Sequence, residues 1–233
     1  TTLKTIKLPN SVTSLQFYVF SGCTSLEQVN IPESVTSIEE QCFFQCEKLK
    51  SLIIPPNISY IGVQPFNPNI QVTSNSDRFV IENDCLVDKE KNILIQGLVN
   101  KSNYTYQLPN NITTIKECAF NNCYNITAVN ISEGVEYIQR RAFSYCNNLE
   151  TISFPSTIYS IGDNCFLYTK KIKNITCKAM YAPDISYDTF QFPIDSSVTE
   201  KYLYIPKGAK YYDSGDWKTY VLDRGFELQY ITE

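Results

Sequence analysis

The stretch Leu26-Glu-Gln-Val-Asn-Ile-Pro-Glu-Ser-Val-Thr-Ser-Ile-Glu-Glu-Gln-Cys-Phe-Phe-Gln-Cys46 decides how the whole chain is read. Its apolar positions are Leu26, Val29, Ile31, Val35, Ile38, Cys42, Phe43 and Cys46, with Pro32 closing the first group. The same offsets 23 residues earlier give Leu3, Ile6, Leu8, Pro9, Val12, Leu15, Val19, Phe20 and Cys23. Those 23 residues later give Leu49, Leu52, Ile54, Pro55, Ile58, Ile61, Pro65 and Phe66. The register then slips and recovers, with units starting at 103, 126 and 149 and a last partial unit at Ile172, Ile175 and Cys177. A fixed period of this kind marks a chain built from stacked repeats.

Each unit has a physical reading. Leu-x-x-Ile-x-Ile is short and β-branched, which suits a strand whose inward residues lie at offsets 0, 3 and 5. Proline cannot donate to a ladder and ends that strand. Val-x-x-Ile supplies a second short extended stretch. Ala-Phe-x-x-Cys, with Phe and Cys three apart, predicts one helical or 3₁₀ turn with an apolar face. No single unit can bury that face, so neighbours must stack. Strands stack at about 4.8 Å, so roughly eight coils give a solenoid near 40 Å long. The fold expected is therefore an α/β solenoid of 23-residue coils with a strand-lined concave face.

Where the register slips, Ile70 and Val72 fill the strand of a fourth coil. The surplus residues, Phe79 to Gln96, alternate on both sides of Asp88-Lys-Glu-Lys-Asn92, which predicts a β-hairpin inserted at about 77–98. From 178 the regular offsets stop and 12 of the last 56 residues are aromatic. The expected division is a solenoid over 1–177 and a C-terminal cap over 178–233, because an uncovered last coil would expose its core and a strand edge. Trp217 and its neighbouring tyrosines are the expected lid.

The phrase Leu-x-x-Val-x-Ile-Pro-x-Ser-Val-Thr-Ser-Ile followed by Phe-x-x-Cys, as in 26–46, resembles the BspA-like (Treponema-type) leucine-rich repeat family. The likeness extends over about 170 residues. It implies a right-handed solenoid and a surface or secreted protein of a microbe that contacts hosts, binding rather than catalysing. The family often carries an x-x-Gly-Val-Leu hairpin in one coil, and Cys85 stands where that glycine would sit. Tyr202-Leu-Tyr-Ile-Pro-Lys-Gly208 and Asp216-Trp-Lys-Thr-Tyr220 are similar to the C-terminal cap of bacterial members.

Composition narrows the chemistry. The 233 residues are 43% apolar and 19% charged, enough for a sizeable core, and the net charge is −4 with no basic cluster to suit nucleic acid. No 18-residue apolar run is present, so no membrane insertion is expected from this segment. Its opening residues lack a signal-peptide pattern and read as a mature fragment. The chain has no histidine, which excludes Ser-His-Asp and Cys-His catalysis and most catalytic zinc sites. Of nine cysteines, Cys23, Cys46, Cys123 and Cys146 are read at one repeat offset, Cys42, Cys118 and Cys165 at another, and Cys177 on a strand. That placement makes them small core residues. Cys23 with Cys46, and Cys123 with Cys146, stand in adjacent coils at about 5 Å, within disulfide range, yet parallel side chains and an odd total favour free thiols. No catalytic residue, metal ligand or cofactor is expected. Asn-x-Ser/Thr occurs at Asn57, Asn100, Asn103, Asn111, Asn125, Asn130 and Asn174, several of them by chance in a chain this rich in Asn, Ser and Thr.

The outward positions of the strands, offsets 2 and 4, remain as ligand-contact candidates. They are Thr5, Lys7, Gln28, Asn30, Ser51, Ile53, Thr105, Gln107, Ala128, Asn130, Thr151, Ser153, Asn174 and Thr176. The strip is short-chained, nearly uncharged and rich in hydroxyls and amides, suited to a protein or a glycan. The expectation is a non-enzymatic interaction module, an extracellular adhesin by the resemblance. An intracellular scaffold or sensor is the alternative, suggested by the free thiols.

Overall fold

A computed structural model describes residues 2–98, 104–191 and 198–231. The chain forms two compact units, Thr1–Asn100 and Lys101–Glu233.

In the first unit, β1 (Thr5–Lys7) and β3 (Gln28–Asn30) pair in parallel, 23 residues apart. Between them in the chain lies β2 (Ser14–Leu15), which pairs in the same sense with β4 (Ser37–Ile38). After β5 (Ser51–Ile54) come β6 (Tyr60–Ile61), which joins β4, and β7 (Gln71–Ser74), which joins β5. The first three coils thus each carry two parallel-paired strands, one in the pairs β1–β3 and β5–β7 and one in the ladder β2–β4–β6. Phe20 and Phe43 stack at 5.2 Å inside, and Phe66 follows at 6.1 Å.

The insertion carries three strands: β8 (Phe79–Glu82), β9 (Cys85–Asp88) and β10 (Ile93–Gly97) form an antiparallel meander. The expected turn after Asp88 is there, and a second, tighter turn at Asn83 and Asp84 brings β8 alongside β9. Both turn residues have left-handed φ, 48° and 56°. This is the two-residue hairpin geometry that Asn and Asp tolerate.

In the second unit one ladder runs β11 (Tyr104–Gln107), β13 (Ile126–Asn130), β15 (Thr151–Phe154) and β17 (Asn174–Cys177). The other runs β12 (Thr114–Ile115), β14 (Tyr137–Ile138), β16 (Ser160–Ile161) and β18 (Asp184–Ile185). The first ladder continues through β19 (Tyr202–Ile205) and β20 (Glu227–Tyr230), so 178–231 contributes coil strands as well as helix α1 (Gly215–Tyr220). The aromatic column Phe120, Phe143, Phe166 and Phe190 stacks at 5.0, 5.7 and 5.1 Å. Trp217 meets Phe190 edge-on at 5.6 Å and donates its indole N–H to the Pro183 carbonyl.

The Phe-x-x-Cys segments are not helical. They are consecutive turns in which Tyr18, Gln41, Arg141 and Asn164 take φ of 60°, 51°, 56° and 53°. A second left-handed position follows four residues later, at Gln45, Asn122, Tyr145 and Tyr168. Non-glycine residues there cost about 1 kcal/mol or more each. The conformation persists because it aims N–H groups along the stack: Tyr18 donates to Glu40 O, Gln41 to Val63 O, Arg141 to Asp163 O and Tyr145 to Leu167 O. A helical turn would satisfy those donors within its own coil and leave the neighbour unbound. Cys118 also has φ of 58°, so it belongs to this left-handed column, and Ala119 takes the inward place expected for Cys118. Reading Cys118 beside Cys42 and Cys165 is therefore one residue out.

Candidate binding surface

Strand pairing sets which outward side chains are neighbours. In the first unit Thr5 lies opposite Gln28 and Lys7 opposite Asn30, and Ser51 and Ile53 face Gln71 and Thr73. The first six are all exposed, and together they line a groove of about 1090 Å³ that also includes Asn10, Glu33 and Asn75. Ile53 is 58% exposed in this polar setting. Gln71 and Thr73 are exposed too, and sequence reasoning passed over them. Their signal was the alternation around Ile70 and Val72 in the coil where the register slips.

In the second unit Thr105, Ala128, Thr151 and Asn174 form one in-register row, and Gln107, Asn130, Ser153 and Thr176 form the other. Thr105 and Gln107 are exposed, and the remaining six are half-buried. The rows run on to Tyr202 and Tyr204, then to Glu227 and Gln229. These four were not among the expected contacts. The phrase Tyr-Leu-Tyr-Ile-Pro, which repeats the strand–proline pattern, was the available signal. Beside the rows Lys173 pairs with Glu150 at 2.6 Å. The Glu200 charge raises the Tyr202 phenol above its ordinary value, with burial adding to the effect.

Most of the thiols and the Asp88 carboxylate are held by the core and the meander. All nine cysteines are free thiols, eight of them buried. Cys46 donates to the Phe20 carbonyl at 3.0 Å and Cys146 to the Phe120 carbonyl at 3.1 Å, so the paired coils direct these thiols to backbone acceptors. Burial pushes Cys46 and Cys177 up to about 11, and it raises Cys42, Cys85, Cys146 and Cys165 as well. Such thiols stay protonated and poorly nucleophilic. Asp88 accepts both forks of Arg78, at 3.0 and 2.8 Å, together with the N–H groups of Glu90 and Lys91. Burial alone would raise its carboxyl; the Arg78 bonds and charge and the two N–H groups outweigh that and hold it below the usual range. Among the described residues no cluster of three Cys, Asp or Glu could hold a metal ion, and no helix is long and apolar enough to cross a membrane. Asn100 and Asn103 lie outside the described residues.

Parallel ladders at a 23-residue step, an inward Leu/Ile/Phe column and an outward polar strip define a leucine-rich-repeat solenoid. The family described as "BspA type Leucine rich repeat region" matches residues 1–85 and 99–197 in six copies, and the chain belongs to it. Among solved structures, a leucine rich cell surface protein from Faecalibacterium prausnitzii A2-165 is 24% identical, with a TM-score of 0.73. The match covers 99% of this chain and 60% of that one, so the chain spans less than two thirds of it. The pneumococcal vaccine antigen PcpA is 18% identical at a TM-score of 0.66, over 100% of this chain and 68% of that one. A leucine-rich repeat protein from Eubacterium ventriosum is 19% identical at a TM-score of 0.53, over 88% and 66%. At these identities the likeness is one of fold. No curated protein matches.

Proposed function

We propose that the protein is a non-enzymatic interaction module of a microbial surface or secreted protein, an adhesin that binds host protein or matrix through the outward face of its strands. The observation that carries this reading is the in-register strip of hydroxyls and amides, which sets many hydrogen-bonding groups on parallel strands about 4.8 Å apart. Its short side chains lose little rotamer entropy when a partner orders them. Family membership and the cell-surface description of one structural relative support the same reading. In it 1–177 forms the binding solenoid and 178–233 closes the last coil, with Trp217 as the lid over Phe190.

The test has two arms. Antibody labelling of intact, unpermeabilised source cells should give a signal; labelling only after permeabilisation contradicts the surface assignment. Binding to an immobilised basement-membrane matrix should be lost when Thr105, Gln107, Asn130 and Thr151 are replaced together by lysine. Unchanged binding moves the contact to the meander or the C-terminal segment. The nine free thiols favour one other reading, an intracellular scaffold, which the same labelling would reveal.

A further inference from the structure

On β19 the outward positions change character. From β11 through β17 they hold only short hydroxyl, amide and methyl side chains and one glutamine. On β19 both become tyrosine, Tyr202 and Tyr204, with ring centroids 5.9 Å apart and planes at 45°. Neither is needed for the core, because Leu203 and Ile205 supply the inward contacts at 0% and 2% exposure. The pair is bracketed in register by Asn174 and Thr176 on one side and by Glu227 and Gln229 on the other. A hollow of about 330 Å³ adjoins it, lined by Glu200, Thr199, Lys171 and the Glu150–Lys173 pair.

We propose that this bracket on the second unit is a subsite for a neutral carbohydrate, the glycan portion of a glycosylated partner. A pyranose ring offers an apolar C–H face and an equatorial rim of hydroxyls. Aromatic rings with a polar tip receive the first. Amides, a hydroxyl and a carboxylate one strand spacing away, about 4.8 Å, receive the second. Charge disfavours acidic sugars: Glu200 and Glu227 stand at the pair and Glu150 neutralises Lys173, which leaves Lys171, hydrogen-bonded to Asn148, as a single cation against them.

The proposal rests on the outward strand face being the binding face, and the experiment separates the two. Cellohexaose, maltohexaose and chitohexaose are titrated into the whole protein, with saturation-transfer NMR and calorimetry as readouts, and heparin serves as the acidic arm. At least one neutral hexasaccharide should bind, with affinity about tenfold weaker when Tyr202→Ala and Tyr204→Ala are combined. Tyr202→Phe, which keeps the ring, should retain most of the affinity, and Tyr145→Ala, exposed on the turn face, should match the parent. Circular dichroism checks that each variant is folded. No binding of any neutral sugar, equal binding by the double variant, or binding of heparin alone would overturn the subsite. If matrix binding is still abolished by the lysine substitutions on the strip, only the carbohydrate subsite falls. If they too have no effect, both readings fall.

Discussion

The two units have the same inner grammar and different outer faces. In the first, Gln28, Asn30, Ser51 and Ile53 stand exposed along a groove, with an isoleucine bare to solvent. In the second, Asn130, Thr151, Ser153 and Asn174 are half-buried, and the rows run on through Tyr202 and Tyr204 to Glu227 and Gln229. Inside, both keep a phenylalanine column at 5–6 Å and parallel ladders at the same step. Inward positions answer to close packing, where a lost methylene is felt. Outward positions answer only to solvent and partner. The difference between the units therefore lies where recognition can vary without disturbing the stack.

The largest effect is expected inside. Phe143→Ala removes a ring stacked on both neighbours and should cost about 3–5 kcal/mol, read by denaturant unfolding. A cost below 1 kcal/mol would mean that the column carries little of the stability. Next come Gly62→Ala in the first unit and Gly162→Ala in the second. An added Cβ would stand 2.4 Å from the Glu40 backbone N and 2.7 Å from that of Arg140, so neighbouring coils would have to part, at about 1–3 kcal/mol. If the first-unit substitution is neutral while the second is not, the coils of the two units differ in tightness.

A smaller effect, confined to the first unit, concerns the meander. Arg78→Ala leaves the Asp88 carboxylate with only backbone donors and should cost about 2 kcal/mol at pH 7. The folded Asp88 carboxyl lies below its unfolded value of about 3.9, so its contribution is full above that pH and fades as pH falls through the folded value. The variant's acid unfolding curve should be correspondingly flatter, and an unchanged curve would remove the pair from the account. Smallest in energy is the thiol test. Cys46 and Cys177 near 11, with Cys42, Cys85, Cys146 and Cys165 raised as well, should resist alkylation at pH 8 until denaturant is added. Rapid modification of more than the half-buried Cys23 would show that the coils open readily.

Much of this was legible in the sequence because burial is periodic. Leu26, Val29, Ile31, Phe43 and Cys46 mark inward positions through their chemistry alone, and the strands fell where Pro32 and Pro55 end them. Three features were not legible, each for a physical reason. The turns after Phe43 and Phe143 read as helical because Gln41, Gln45, Arg141 and Tyr145 carry no sign of a left-handed backbone; only the neighbouring coil's carbonyls impose it. Strand β8 escaped because Asn83-Asp84, a two-residue turn, interrupts an otherwise apolar run. The last two outward pairs, on β19 and β20, follow their predecessors at steps of 28 and 25 residues, outside the 23-residue frame. On the binding face, chemistry was readable where the register held and lost where it slipped, at Gln71 and Thr73 and again at Tyr202 and Tyr204.

The most direct test of the outward face as the binding surface is one comparison on immobilised basement-membrane matrix. It sets the parent beside Asn130→Lys with Thr151→Lys on the strip, and beside Glu136→Lys, exposed away from it. Glu136→Lys changes the net charge by the same two units as the strip pair. Binding should fall at least tenfold for the strip pair and be retained for Glu136→Lys, the loss set by position and not by charge. Equal binding by all three proteins, or a loss confined to Glu136→Lys, would contradict it.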